Sequence, residues 1–271
     1  MVRKILGKTY IYLILFIMYL PIIVLFIFSF QKTNVLKFEN ITTPTLKLYS
    51  DLFNFQNTDS KEIWQSVINT VLIAISAAAV STIIGTLGAI GIFYSSRKTR
   101  KLLNSIANIS IVNAEIVTAL SLRILYSLLN LDLNFATLLI GHVVLTIPFI
   151  VLNVTPKLQQ MDPNEYEAAL DLGATPSKAL LKVVVPETLP GIVSGFLLSI
   201  VLSLDDYIIT AYTANPTFNT ISTYVYKQMV KSGVPLQLRS LTSIIFIIVA
   251  IGVLVYGIVL NKKAKKEDVR S

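Results

Sequence analysis

The sequence predicts an all-α fold: a single polytopic domain over 1–271, built as a bundle of six membrane-spanning helices. Three observations carry this. Of the 271 residues, 54% are hydrophobic and only 14% charged, against about 25% charged in an ordinary soluble domain. The apolar residues gather into six long runs separated by polar joints, and a bilayer core about 30 Å thick needs about 20 such residues per helix. The basic residues behind the net charge of +8 sit in short clusters beside those runs. That placement suits membrane orientation, not a nucleic-acid surface, and no nucleic-acid partner is expected.

The first span is expected at about 11–30, after Arg3, Lys4 and Lys8. Its apolar run exceeds the roughly 7–15 residues of a signal-peptide core and no small-residue cleavage site follows, so it reads as an uncleaved span, kinked near Pro21. Polar residues 31–63 lead to the second span, about 66–93, in which Gly85, Gly88 and Gly91 at spacing three suggest close helix packing. The third to sixth spans are expected at about 102–127, 135–155, 191–212 and 241–260. Between the last two, 213–240 carries turn signals and a short amphipathic stretch. Neither polar external segment is large enough for a binding domain.

Counting Lys and Arg joint by joint gives the direction of insertion. The N-terminus, 94–101, 156–190 and the tail hold 15 of the 23; the three alternating joints hold 7, and Arg123 lies inside a span. Positive residues concentrate on the cytoplasmic side, so both termini are expected there.

The loop 161–190 encodes short helices where a plain connector would do. Asp162 is a good N-cap, Pro163 suits the first helical position and Glu165 completes capping-box spacing. Gly173 should end this helix in a left-handed conformation. Thr175 and Pro176 repeat the start signal, and Pro186 is expected to end a second helix. Tyr166, Ala169, Leu170 and Gly173 share one face, with small residues among larger ones that could slot into a groove. The same pattern would also serve an amphipathic segment resting on lipid.

Glu167-Ala168-Ala169, followed by Gly173 and a distal Val185-Pro186, resembles the EAA loop of ABC importer permeases. That family's consensus ends in Leu-Pro, and Val185 is a mild departure from it. More narrowly, the chain resembles spermidine/putrescine importer permeases of the second-subunit type. The likeness is carried by Ile63-Trp64-Gln65, Glu115-Ile116-Val117, His142 with Pro148-Phe149, Glu167 to Gly173, Ser203-Leu204-Asp205-Asp206, and Ile221 to Pro235 with Val225-Tyr226 and Lys231-Ser232-Gly233-Val234-Pro235. The resemblance implies a type I importer permease fold in a bacterial inner membrane. It implies pairing with a second homologous permease, two ATPase subunits and an extracytoplasmic solute-binding protein. Tyr166, Glu167, Ala168, Ala169, Asp171 and Gly173 would then form the helix that docks in the ATPase. ATP and Mg would bind to that partner, leaving no cofactor in this chain.

Five ionisable residues fall inside spans: Glu115, Arg123, His142, Asp205 and Asp206. Each costs at least about 2.5 kcal/mol near a span centre and so normally faces a cavity or a partner. Measured along straight helices, Glu115 and the two aspartates lie at a similar depth, about 20 Å from the cytoplasmic end. They could form one anionic ring. A polyamine needs separated carboxylates for its ammonium groups and aromatic walls for its methylenes, which Asp205, Asp206, Glu115, Tyr207 and Tyr212 supply. Adjacent aspartates point about 100° apart, so at most one faces the path; the other would pair with Arg123, a partner Lys or backbone donors. His142 reads as a satisfied packing residue.

With no Cys and one His, the chain has no disulfide framework, no thiolate nucleophile and no Cys/His zinc or iron site. Gly7-Lys8-Thr9 mimics the end of a phosphate-binding loop, but the position that loop reserves for its first Gly is Val2. No nucleotide site and no Ser/His/Asp triad are expected, so the chain is read as non-enzymatic. A permease for another cationic solute and an ion-coupled secondary carrier remain as alternatives; the carrier would need no EAA loop and no ATP.

Overall fold

In lipid, every backbone N–H and C=O must find its partner within the protein, which leaves helices as the economical solution for long apolar runs. The computed structural model describes residues 2–31, 44–231 and 235–268, and among these there is no strand. Within the expected external segments, residues 32–43 and Ser232-Gly233-Val234 lie outside the described residues.

The chain divides into two units, 1–64 with 228–271, and 65–227. The first contains α1 (Val2–Phe28), which runs through Pro21, α2 (Lys47–Leu52) and α12 (Leu236–Asp268). Its short α2 is buried through Leu48 and Leu52. Ser240 Oγ donates to the Leu48 carbonyl at 3.1 Å and Trp64 Nε1 to the Leu52 carbonyl at 3.0 Å. The outer surface of α1 keeps Tyr10 to Leu20 exposed, an apolar face suited to hydrocarbon.

The second unit is organised around α6 (Phe135–Gln160). Its capping box is complete: Asn134 Oδ1 accepts from the Ala136 and Thr137 N–H groups, and the Asn134 N–H donates to Thr137 Oγ1 at 2.9 Å. Ile150, Val154 and Leu158 of α6 form a core with Ala89 and Ile90 of α3 (Thr58–Tyr94) and with Val184. Small residues permit this closeness. A Cβ on Gly85 would meet Ile150 at 2.7 Å, and one on Gly191 would meet the Asn153 carbonyl oxygen at 2.7 Å. Gly88 and Gly91, read from their spacing as packing positions, have nothing within 4 Å. Of that triplet, only Gly85 makes a close helix contact.

Three expected elements differ. The stretch 102–127 is two helices, α4 (Arg97–Val112) and α5 (Glu115–Leu128), separated by extended Asn113 and Ala114. Glu115 opens α5, where the helix dipole favours an acid. The fifth span ends at Asp205: α9 (Val185–Asp205) breaks at extended Asp206 before α10 (Ile208–Thr213). Finally, Pro186 ends no helix. α8 (Pro176–Ala179) passes through a π-helical turn, Leu180–Val184, directly into α9. The Val185 N–H reaches back five residues to the Leu180 carbonyl. This wider turn shifts the hydrogen-bond ladder just where the proline N could not contribute to it.

Among the described residues, four helices are long and apolar enough to cross a membrane: Tyr10–Phe28, Thr58–Tyr94, Phe135–Gln160 and Pro176–Asp205, with a shorter apolar helix at Leu236–Gly252.

Candidate functional site

Two helix breaks concentrate the intramembrane charge. At the second, Asp206 has an extended backbone and a buried side chain. Its Oδ1 accepts from the Ile209 N–H at 3.0 Å, and its Oδ2 from the Thr210 N–H at 2.9 Å and the Thr210 hydroxyl at 2.8 Å. This carboxylate is a cap for α10, satisfied by backbone donors and not by Arg123.

His142, fully buried on α6, completes the arrangement. Its Nδ1 lies 2.7 Å from Ser203 Oγ, and its Nε2 lies 3.0 Å from Thr210 Oγ1 and 3.5 Å from Asp206 Oδ2. The Thr210 hydroxyl has a single proton, already given to Asp206. With one proton on the ring, the bonds therefore run in one direction. Ser203 donates to Nδ1, Nε2–H donates to Thr210, and Thr210 donates to the carboxylate. The backbone of His142 is tied in as well, its carbonyl accepting from Thr146 Oγ1 at 2.8 Å, while Ser81 and Thr146 share a 2.6 Å bond.

Asp205 and Glu115 are different. Asp205, last residue of α9, and Glu115, first residue of α5, are both exposed. The α5 helix that Glu115 opens packs against α10, which follows the second break. The expected anionic ring of three is thus two exposed acids beside one buried cap, and the depth argument from straight helices does not hold across the Asn113–Ala114 break.

Tyr207 is half-buried and its ring lies 4.7 Å from that of Tyr226 on α11 (Ile221–Lys231), tilted by 42°. With Tyr212 the two line a cavity of about 470 Å³, whose wall also includes Arg123 and Lys227. Lys227 Nζ is held by the Pro216 carbonyl at 3.1 Å and Asn219 Oδ1 at 2.5 Å. Arg123 is exposed, and eight residues along α5 put it about 12 Å beyond Glu115. The site therefore offers exposed carboxylates at the two breaks and, following Asp205 in sequence, a cavity whose wall combines the three tyrosine rings with the positive charges of Arg123 and Lys227.

The 161–174 segment folds as α7 (Pro163–Asp171), with Asp162 Oδ1 accepting from the Asn164 N–H at 2.9 Å. It ends in a Schellman motif. Gly173, at φ +85°, donates to the Leu170 carbonyl at 2.9 Å, and Ala174 donates to Ala169 at 3.0 Å. Of the four residues grouped on one face by spacing, Tyr166, Ala169 and Leu170 are turned inward and Gly173 is exposed. Tyr166 is half-buried against the Tyr94 ring at 5.1 Å and the Ile150–Leu158 core, and Ala169 and Leu170 are half-buried beside it. Tyr166 is thus committed to its own chain. The exposed face consists of Glu167, Ala168, Asp171, Leu172 and Gly173. Leu172, which the spacing of the grouped face does not single out, is 90% exposed. A large apolar residue immediately before the C′ glycine was the signal for it.

The sequence profile of the family described as binding-protein-dependent transport system inner membrane component matches residues 1–262. The spermidine/putrescine transport system permease protein PotC of Escherichia coli (strain K12) is 28% identical over 249 residues, 92% of this chain and 91% of that protein. The protein of the same description from Haemophilus influenzae is 29% identical, covering 92% and 93%. Among solved structures, a bacterial ABC transporter involved in the import of the acidic polysaccharide alginate superposes with a TM-score of 0.72 at 18% identity, covering 96% of each chain. A bacterial alginate ABC transporter in complex with an alginate pentasaccharide-bound periplasmic protein gives 0.67 at 17% identity, over 94% of this chain and 91% of that one. These two likenesses are of fold.

Proposed function

The chain belongs to the family of binding-protein-dependent transport system inner membrane components, and on that premise we propose that it is the permease subunit of an ATP-driven importer for polyamines, spermidine and putrescine. The observation that carries the reading is the pair of exposed acids at the two helix breaks, Glu115 opening α5 and Asp205 closing α9, with α5 packed against the α10 helix that starts after Tyr207. The relatives described as polyamine permeases support the same solute class. Ammonium groups separated by methylenes fit carboxylates flanked by rings.

In this reading the chain is not an ATPase. It pairs with a second homologous permease, two ATPase subunits that bind ATP and Mg, and an extracytoplasmic solute-binding protein, with both of its termini in the cytoplasm. The exposed face of α7, from Glu167 to Gly173, docks in the ATPase. Closure of the ATPase dimer on ATP moves α7 and, through the continuous α8–α9 helix, the break at Asp206. The spans then switch from inward- to outward-facing, and the released solute passes Glu115 and Asp205.

Uptake of labelled spermidine and putrescine in cells with and without the gene, with ATP depletion as control, tests this. ATP-dependent uptake should disappear on deletion. Each acid contributes a charge-assisted hydrogen bond, so Asp205→Asn and Glu115→Gln should each lower uptake about tenfold. Unchanged uptake on deletion, where no other polyamine system is present, sinks the solute assignment. Uptake that follows an ion gradient and survives ATP depletion sinks the importer class.

A further inference from the structure

The His142 ring touches both sides of the α9–α10 break. Its Nδ1 holds Ser203 in the last turn of α9 at 2.7 Å, and its Nε2 holds Thr210 in the first turn of α10 at 3.0 Å. Asp206, between them in sequence, fixes the start of α10 through three hydrogen bonds. Ser203, Asp206, Thr210 and His142 are all buried, yet Asp205, between Ser203 and Asp206 with only Leu204 intervening, is exposed. One imidazole and one carboxylate therefore determine the angle of a break at which a single acid is left facing outward.

We propose that His142 and Asp206 are positioning residues of transport: together with Ser203 and Thr210 they clamp the α9–α10 break in one geometry and so set where Asp205 and Tyr207 stand. Asp206 is not a solute ligand. Both of its oxygens are occupied by donors, and a passing ammonium group would have to displace them in a buried site. The clamp explains why two adjacent aspartates occur: one is needed to build the break and the other to use it. The functional side of this inference rests on the reading of Asp205 as a residue of the solute path.

The chain has no cysteine, so Asp205→Cys supplies a unique thiol in this subunit. The assembled importer in proteoliposomes is treated with a water-soluble cationic thiosulfonate, and the rate of modification is followed. Asp206→Asn puts an amide N–H against the Ile209 or Thr210 donors, whichever way it turns. Thr210→Ala removes the hydroxyl that links the ring to the carboxylate. Each change breaks at least one buried hydrogen bond, enough to shift a two-geometry equilibrium about fivefold, and the thiol rate should move by that factor. Thr210→Ser keeps the hydroxyl and should restore the native rate. A thiol introduced at exposed Ser105 on α4 should not respond. Should Asp206→Asn fail to assemble, Ser203→Ala and Thr210→Ala still report. An unchanged rate in either assembled variant overturns the clamp. Spermidine and putrescine uptake on Asp205→Asn is measured in the same vesicles. If that uptake is normal while the thiol rates move, the path role of Asp205 falls and the clamp stands.

Discussion

Gly191 approaches α6 so closely that an added methyl group has nowhere to go. A Cβ there would lie 2.7 Å from the Asn153 carbonyl oxygen and 2.8 Å from Lys157 Cγ, and the first of these is backbone inside a helix. Gly191→Ala must therefore push α9 off α6, an overpacking cost of about 1–3 kcal/mol. Thermal unfolding of the purified subunit in detergent should show a clear drop in Tm. Gly88→Ala, with nothing within 4 Å, should stay within about 0.5 kcal/mol of the native protein. Equal effects at the two positions would refute the packing account. The same comparison shows what was legible. Spacing alone promoted Gly85, Gly88 and Gly91 equally, yet a helix face is chosen by its neighbours, and sequence does not name them. The better signal was the small-xxx-small pair Gly191 and Gly195, which faces Asn153 and Ile150 on α6.

At the scale of elements, α7 was readable almost bond by bond, because caps are local: Asp162, Pro163 and Gly173 stand where the helix begins and ends. Which face it shows was not readable, since that depends on Tyr94, far away in sequence. The exposed arrangement makes a test. Burying a leucine contributes about 1.5–3 kcal/mol, so Leu172→Asp should weaken association with the ATPase subunits at least tenfold. Tyr166→Phe, which keeps the ring against Tyr94, should leave association unchanged. Gly173→Ala, forced into φ +85°, should cost about 1 kcal/mol and weaken docking several-fold. Affinity measured by co-purification or surface binding checks all three, and full binding by Leu172→Asp would move the docking face elsewhere. The helix breaks were hidden for a related reason. Hydropathy averages over a window and sees 102–127 as one apolar run, although Asn113 before Glu115, and Asp206 before Thr210, carry the polar and acidic signature of a helix start.

For the whole molecule, orientation rests on many charges, of which no small group is decisive. The N-terminus, 94–101, 156–190 and the tail together hold 15 Lys and Arg against 7 on the alternating joints, so neutralising the four in 94–101 still leaves an excess of the same sign. The prediction is that a variant with Arg97, Lys98, Arg100 and Lys101 all changed to Gln inserts in the native direction. Phosphatase fusions, active only outside the cytoplasm, should be active after Leu131 and silent after Ala174 in both the native chain and the variant. The variant should nonetheless unfold at lower temperature. Arg100 donates to the Phe93 carbonyl and stacks over the Phe93 ring at 5.1 Å, tying the start of α4 to the end of α3. A cation–π contact and a charged hydrogen bond of this kind contribute about 1–2 kcal/mol together. Restoring Arg100 alone should recover that stability and leave the fusion pattern as it was, which separates its local role from the collective one. A fusion active after Ala174 in the native chain would reverse the assignment of sides, and α7 would then face away from any cytoplasmic ATPase.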